Sequence, residues 1–196
     1  MFSTKIAGIG YHVPDRVVTN DELAALMDTS DEWIQERTGI QERRYAEKHK
    51  ETTTTLGAKA ALKAITNAGI DKEDIDFIIF ATLSPDYYFP GCGVLLQREL
   101  GITNVAMGAL DIRNQCSGFV YGLSVADQFV KTGMYKNVLL VGAEMHSMGL
   151  DFTTRGVMSR LSLVMAQARL SFNLLQNQIR VFLLPSCTVM ALLQKN

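Results

Sequence analysis

The chain has 196 residues, 47% of them hydrophobic, which is enough to bury one sizeable core. Its 19 basic and 20 acidic residues leave a formal net charge of -1, with no field of one sign to draw in nucleic acid or an anionic membrane. Three widely spaced cysteines, Cys92, Cys116 and Cys187, with no CxxC pair and no histidine cluster, argue against a disulfide frame or a metal site and for reduced thiols in a cytoplasmic protein.

The opening residues lack the charged start and apolar core of a signal peptide, and no stretch reaches the ~18 apolar residues of a membrane span. Ile6 to Val13 reads as a strand that enters a turn at Pro14-Asp15. Gly8-Ile9-Gly10 lacks the third glycine of a dinucleotide loop and is expected to be a turn at the strand end. Asn20 is placed to cap a short helix through Met27, and Ser30 or Asp31 to cap a second, which puts Trp33 and Arg37 on one face. The threonines Thr52 to Thr55 lead into a helix containing Ala58, Ala61, Leu62 and Ile65 that stops at Gly69. Phe77 to Ala81 is a short unbroken apolar run between polar flanks, the pattern of a strand buried on both faces. Pro90-Gly91 precedes a helix to Leu100, then come a strand over Ala106 to Ile112, a helix over Ser117 to Lys131 and a strand over Val138 to Gly142. This repeated β-α order predicts a layered α/β/α fold with a largely parallel sheet.

Cys116 falls where a buried strand turns into a helix. Backbone N–H groups and the helix dipole stabilise a thiolate there, which makes it a candidate nucleophile; the alternative is a small core residue. Gly118 and Gly122, on one face of that helix, leave room for close packing or for an acyl chain.

The words around this cysteine, Gln115-Cys116-Ser117-Gly118-Phe119 and Leu123 to Gln128, resemble the active-site segment of the β-ketoacyl-ACP synthase III family of thiolase-like enzymes. Other family words follow in order from residue 1 to 156: Gly8 to Pro14, Thr29 to Ile34, Arg37 to Ile40, Phe89-Pro90 and Thr154 to Gly156. The resemblance implies the N-terminal half of a thiolase-like fold. It also implies an acyltransferase of fatty acid biosynthesis, in which Cys116 accepts the acyl group of an acyl-CoA and passes it to malonyl-acyl carrier protein with loss of carbon dioxide. Coenzyme A is then a substrate, and no separate cofactor is required. By position, Trp33 matches the residue that stacks on the adenine, Arg37 and Thr29 its neighbours, and Arg155 the arginine on the far side of the nucleotide. Phe89 matches a residue of the acyl pocket at the interface of a homodimer. A flat purine and phosphates do call for an aromatic face and guanidinium groups. The Trp33 and Arg37 pair argues against other thiolase branches such as polyketide or hydroxymethylglutaryl-CoA synthases.

A seam follows Gly156. All 15 glycines and all 20 acidic residues lie at or before it, and residues 157–196 carry four basic groups and no acid. The family text expected next is Arg-Asn-Val-Ser-Val-Ile-Phe-Gly-Asp-Gly-Ala-Gly-Ala. Val157 to Leu170 can be encoded so that one added C ahead of it, read in the shifted frame, yields that text; Met165-Ala166 forces a glycine there whatever codons are used. The expectation is therefore a thiolase-like half over 1–156 and an out-of-frame tail over 157–196. Without a second half, the family's catalytic histidine and asparagine have no counterpart, so condensation should be lost. Loss of the last strand should also leave a sheet edge open and the product prone to misassembly. The competing reading is a non-catalytic pseudoenzyme half or binding subunit, whose basic tail engages a partner or membrane.

Overall fold

The computed structural model describes residues 2–104, 106–114, 116–149, 170–171, 182–183 and 188–195. The chain divides into two compact units, Met1–His12 with Glu51–Glu144 and Thr188–Asn196, and Val13–Lys50 with Met145–Cys187.

The first unit is built on a five-stranded sheet. Its strands are β1 (Thr4–His12), β4 (Phe77–Ala81), β5 (Gly108–Ile112), β6 (Asn137–Gly142) and β9 (Thr188–Lys195), in the spatial order β1-β9-β6-β4-β5. β4 pairs in parallel with β5 and β6, whereas β9 runs antiparallel to both of its neighbours, β1 and β6. Helices α3 (Thr53–Ala68), α4 (Cys92–Glu99) and α5 (Gly118–Lys131) cover it. α3 and α4 pack on one face over Ile78, Phe80, Leu139 and Val141. α5 lies against the residues of opposite parity, Ile79, Leu140 and Ile112. Burial on both faces explains why Phe77–Ala81 and Asn137–Gly142 read as unbroken apolar runs; Ile78, Ile79, Leu139 and Leu140 are all fully buried.

α3 begins and ends as the threonine run and Gly69 predict. Thr52 and Thr55 form a reciprocal capping box, and Gly69, at φ +68°, closes the helix in the left-handed conformation. Gly8 and Gly10 differ from expectation, since both lie inside β1 rather than in a turn at its end. The reason is packing: a Cβ on Gly8 would sit 2.3 Å from the Ala64 carbonyl oxygen, and one on Gly10 would sit 2.2 Å from that of Ala60. The glycines let the backbone of α3 cross directly over the strand.

The open sheet edge expected from loss of the family's last strand is also corrected. The slot between β1 and β6 is filled by Thr188–Lys195 from the tail. That run of apolar residues from Val189 to Leu193 between polar flanks is the same signal as Phe77–Ala81.

The second unit carries the antiparallel pair β2 (Arg16–Thr19) with β3 (Glu42–Tyr45), the helices α1 (Asn20–Ala24) and α2 (Asp31–Thr38) that connect them, and the two-residue pair β7 (Leu170–Ser171) with β8 (Phe182–Leu183). The β2–β3 pair escapes a sequence reading, because its four-residue strands carry arginines and a glutamate instead of an alternating apolar pattern. Thr19 caps α1, accepting from Glu22 N, in place of the expected Asn20; the Asn20 side chain is buried among other partners. No helix of the described residues is long and apolar enough to cross a membrane.

Candidate active site

In the first unit, Cys116 sits on the connection between β5 and α5, at the carboxyl ends of the parallel strands, where open α/β sheets bind their ligands. The cysteine is exposed and has a positive φ of 20°, uncommon for a residue with a side chain. The turn is held from below. Asn114 Nδ2 donates to Ser117 Oγ at 3.4 Å, and Ser117 forms the N-cap of α5 without a side-chain bond to the helix backbone. Behind it, a Cβ added at Gly122 would meet Leu140 Cδ1 at 2.6 Å, so this glycine serves helix-to-sheet packing, one of the two roles its position suggested. A Cβ added at Gly142, at the end of β6, would likewise meet the Phe119 ring at 2.8 Å.

Cys92 provides the contrast. It is fully buried at the first residue of α4, and burial pushes its thiol up from the ordinary value. Gly91, the N-cap, has no side chain, and Asp111 of β5 caps the helix in its place. Oδ2 accepts from Cys92 N at 2.7 Å and Oδ1 from Gly93 N at 2.8 Å. Sequence reasoning did not single out Asp111, although an acid inside an otherwise apolar strand was a visible signal.

Phe89 lies on the loop between β4 and α4. That loop is pinned by charge at three points. Glu144 accepts from Leu83 N at 2.8 Å and from Ser84 Oγ at 2.6 Å, and Asp86 accepts from Thr52 Oγ1 at 2.8 Å. Arg113 donates to the Tyr88 carbonyl at 2.6 Å and stacks 5.1 Å from its ring. The loop presents Tyr87, Tyr88 and Phe89 outward, Phe89 with 90% of its surface exposed, and the Phe89-Pro90 peptide is cis.

The second unit holds the other predicted residues. Ser30 caps α2 by accepting from Trp33 N at 3.2 Å, as one of the two expected caps. One helical turn separates Trp33 from Arg37, whose guanidinium carbon lies 4.2 Å from the indole centroid. Together they make a flat surface of aromatic and cationic character on the outer side of the helix, while Ile34 buries the inner side. Thr29 precedes the cap, its hydroxyl buried and without a hydrogen-bond partner among the described residues. Arg155 and Gln115 lie outside the described residues. The structure thus brings Trp33 and Arg37 together, and places Cys116 and Phe89 on neighbouring connections of the other unit.

The model of the 3-oxoacyl-[acyl-carrier-protein] synthase III family matches residues 110–162, the stretch that contains Cys116. A β-ketoacyl-[acyl-carrier-protein] synthase III of Clostridium acetobutylicum is 47% identical over 156 residues, 80% of this chain and 47% of the relative. That of Ehrlichia canis is 51% identical over 150 residues, 76% of this chain and 46% of the relative. The chain belongs to the β-ketoacyl-ACP synthase III family. It spans about half the length of the curated relatives it matches. Among solved structures, the Aquifex aeolicus 3-oxoacyl-[acyl-carrier-protein] synthase III superposes with a TM-score of 0.79 at 37% identity, covering 98% of this chain and 54% of that one. A priming β-ketosynthase of the R1128 polyketide pathway superposes with a TM-score of 0.80 at 27% identity, covering 100% and 51%. The fold is thiolase-like, as the synthase III words in the sequence imply.

Proposed function

We propose that the chain is the N-terminal half of a β-ketoacyl-ACP synthase III, with Cys116 as the acyl acceptor and the α2 surface of Thr29, Trp33 and Arg37 as the adenine end of a coenzyme A site. Arg155 is assigned to the far side of the nucleotide and Phe89 to the acyl pocket at a homodimer interface. The observation that carries the reading is the exposed Cys116 at a positive-φ turn between β5, which is a half-buried edge strand and not the buried strand expected, and a helix N-terminus, embedded in the family's text. The Trp33 and Arg37 stack supports the nucleotide assignment.

In the first half-reaction, the Cys116 sulfur attacks the thioester carbonyl carbon of acyl-CoA. The bond from that carbon to the CoA sulfur breaks, and CoA leaves as the thiol with the proton given up by Cys116. In the second, malonyl-ACP loses carbon dioxide, and the resulting carbanion attacks the acyl-cysteine carbon and returns the sulfur to Cys116. That step needs the histidine and asparagine that the family keeps in its second half. Residues 1–196 taken by themselves carry no assigned counterpart of that pair and should self-acylate slowly at Cys116 without condensing, because a catalytic constellation fails as a unit when members are missing.

The test is intact-mass spectrometry after incubation with acetyl-CoA. One acetyl group should be added to the chain and none to the Cys116→Ala variant, and no ketoacyl product should form when malonyl-ACP is supplied. Absence of the adduct on the unmodified chain would remove the acyl-acceptor assignment. For the seam, loss of one nucleotide after the Gly156 codon is the proposed cause, read directly by sequencing the coding DNA across codons 150 to 160 and on past codon 196. An open shifted frame leading into a glycine-rich second half supports it; a closed one favours the pseudoenzyme or binding-subunit reading, for which the Trp33 and Arg37 surface is the supporting observation.

A further inference from the structure

Arg43 is a cation with only 6% of its surface exposed, on a four-residue strand, and among the described residues its hydrogen bonds go to neutral acceptors. Nη1 donates to the Val18 carbonyl at 3.3 Å and Nη2 to Asn20 Oδ1 at 2.6 Å. Burying a guanidinium in this way is costly, and its hydrogen bonds fix what surrounds it. Its effect is to fix the Asn20 amide. With the oxygen turned to Arg43, both amide hydrogens point the other way, and Asn20 Nδ2 donates to Asp31 Oδ1 and to the Ile40 carbonyl, each at 2.7 Å. Asp31 is the first residue of α2, and Ile40 follows its C-cap, Gly39. One amide group therefore grips both ends of an eight-residue helix. Gln35 Nε2 closes on Asp31 Oδ2 at 2.6 Å, and these bonds from Gln35 and Asn20 hold the Asp31 carboxyl below its ordinary value.

A helix's own hydrogen bonds do not fix its rotation about its axis; contacts to its surroundings do, here the burial of Ile34 and the two bonds from Asn20. That rotation decides where Trp33 and Arg37 face. Resting on the coenzyme A reading of α2, we infer that Asn20, oriented by Arg43, is a positioning residue that clamps α2 and so sets the Trp33 and Arg37 surface for the adenine of a coenzyme A thioester. Neither Asn20 nor Arg43 touches the nucleotide in this account; both act through the helix.

Trp33 is the only tryptophan in the chain, so its emission reports this surface directly. The experiment titrates coenzyme A into the full chain and follows that emission. Asn20→Asp keeps volume and the Arg43 acceptor but has no hydrogens to donate and sets a carboxylate against Asp31; it should weaken coenzyme A about five- to tenfold, the scale of one stacking contact. Asp31→Asn keeps an acceptor for Asn20 and should stay within about twofold, and the double variant Asn20→Asp with Asp31→Asn, which exchanges donor and acceptor at the Asp31 end but leaves the Ile40 carbonyl without its donor, should recover only part of the loss. Leu23→Ala, a buried residue of the same unit that makes none of these bonds, controls for general destabilisation: it should lower the melting temperature and leave coenzyme A affinity unchanged. If the unmodified chain binds and Asn20→Asp binds equally well, or if Leu23→Ala costs as much as Asn20→Asp, the clamp is refuted while the site stands. If the emission of the unmodified chain does not respond to coenzyme A at all, the nucleotide assignment of α2 falls and the clamp's role falls with it.

Discussion

Two cysteines of one sheet-and-helix unit occupy opposite environments, and their chemistry should separate accordingly. Cys116 is exposed on a turn; Cys92 is fully buried, and burial raises its pKa, so at a given pH it holds less thiolate than an ordinary cysteine. Iodoacetamide at neutral pH, followed by peptide mapping, should label Cys116 in the folded chain and leave Cys92 unmodified. Cys92 should react only in denaturant, or as pH rises past the ordinary thiol range. Equal rates at the two positions in the native chain would contradict this placement. Cys116 was legible in the sequence through the family words around it; its place at a strand-to-helix turn alone made it a candidate beside the reading as a small core residue. Asn20 reads as a cap and is not one, since the one-dimensional signal for a cap and for a buried amide clamp is the same residue before the same acidic turn.

At the scale of elements, the helices and buried strands were readable because their determinants are local. Capping threonines, the glycine at φ +68° and the unbroken apolar runs each act over a few residues. The crossing of α3 over β1 was not readable, since it depends on two segments about fifty residues apart, and Gly8 and Gly10 carry no mark distinguishing a crossing from a turn. The crossing makes a sharp prediction. In Gly10→Ala the new methyl group would lie 2.2 Å from the Ala60 carbonyl oxygen and 2.5 Å from Ala64 N, both backbone atoms that move only if the helix moves. The cost should be about 3 kcal/mol, the upper range of overpacking. Gly39→Ala, at φ +68° with open space around it, should cost about 1 kcal/mol from backbone strain alone. Urea unfolding should rank them in that order; a smaller loss for Gly10→Ala than for Gly39→Ala would mean that α3 does not rest on the strand.

On the scale of the whole molecule, Thr188–Lys195, beyond the family model's match at residues 110–162, completes the first unit's sheet. A slot between two strands makes two demands. Its hydrogen bonds are made by backbone and are indifferent to sequence, and its burial asks only for a short apolar run compatible with an extended chain. Val189 to Leu193 meets the second demand, and the register then pairs Thr4–His12 on one side and Asn137–Gly142 on the other with one strand. If this pairing holds the unit together, a chain ending at Cys187 exposes two edges at once, one of them belonging to β6, in which Val138 to Val141 are fully buried. That shortened chain should aggregate or lose its cooperative urea transition, as followed by sedimentation velocity and by circular dichroism. Replacing Ala191 and Leu192 by two prolines, which removes N–H donors from the ladder while keeping the full length, should do the same. A shortened chain that stays monomeric with an unchanged midpoint would show that the core stands on α3, α4 and the parallel strands alone.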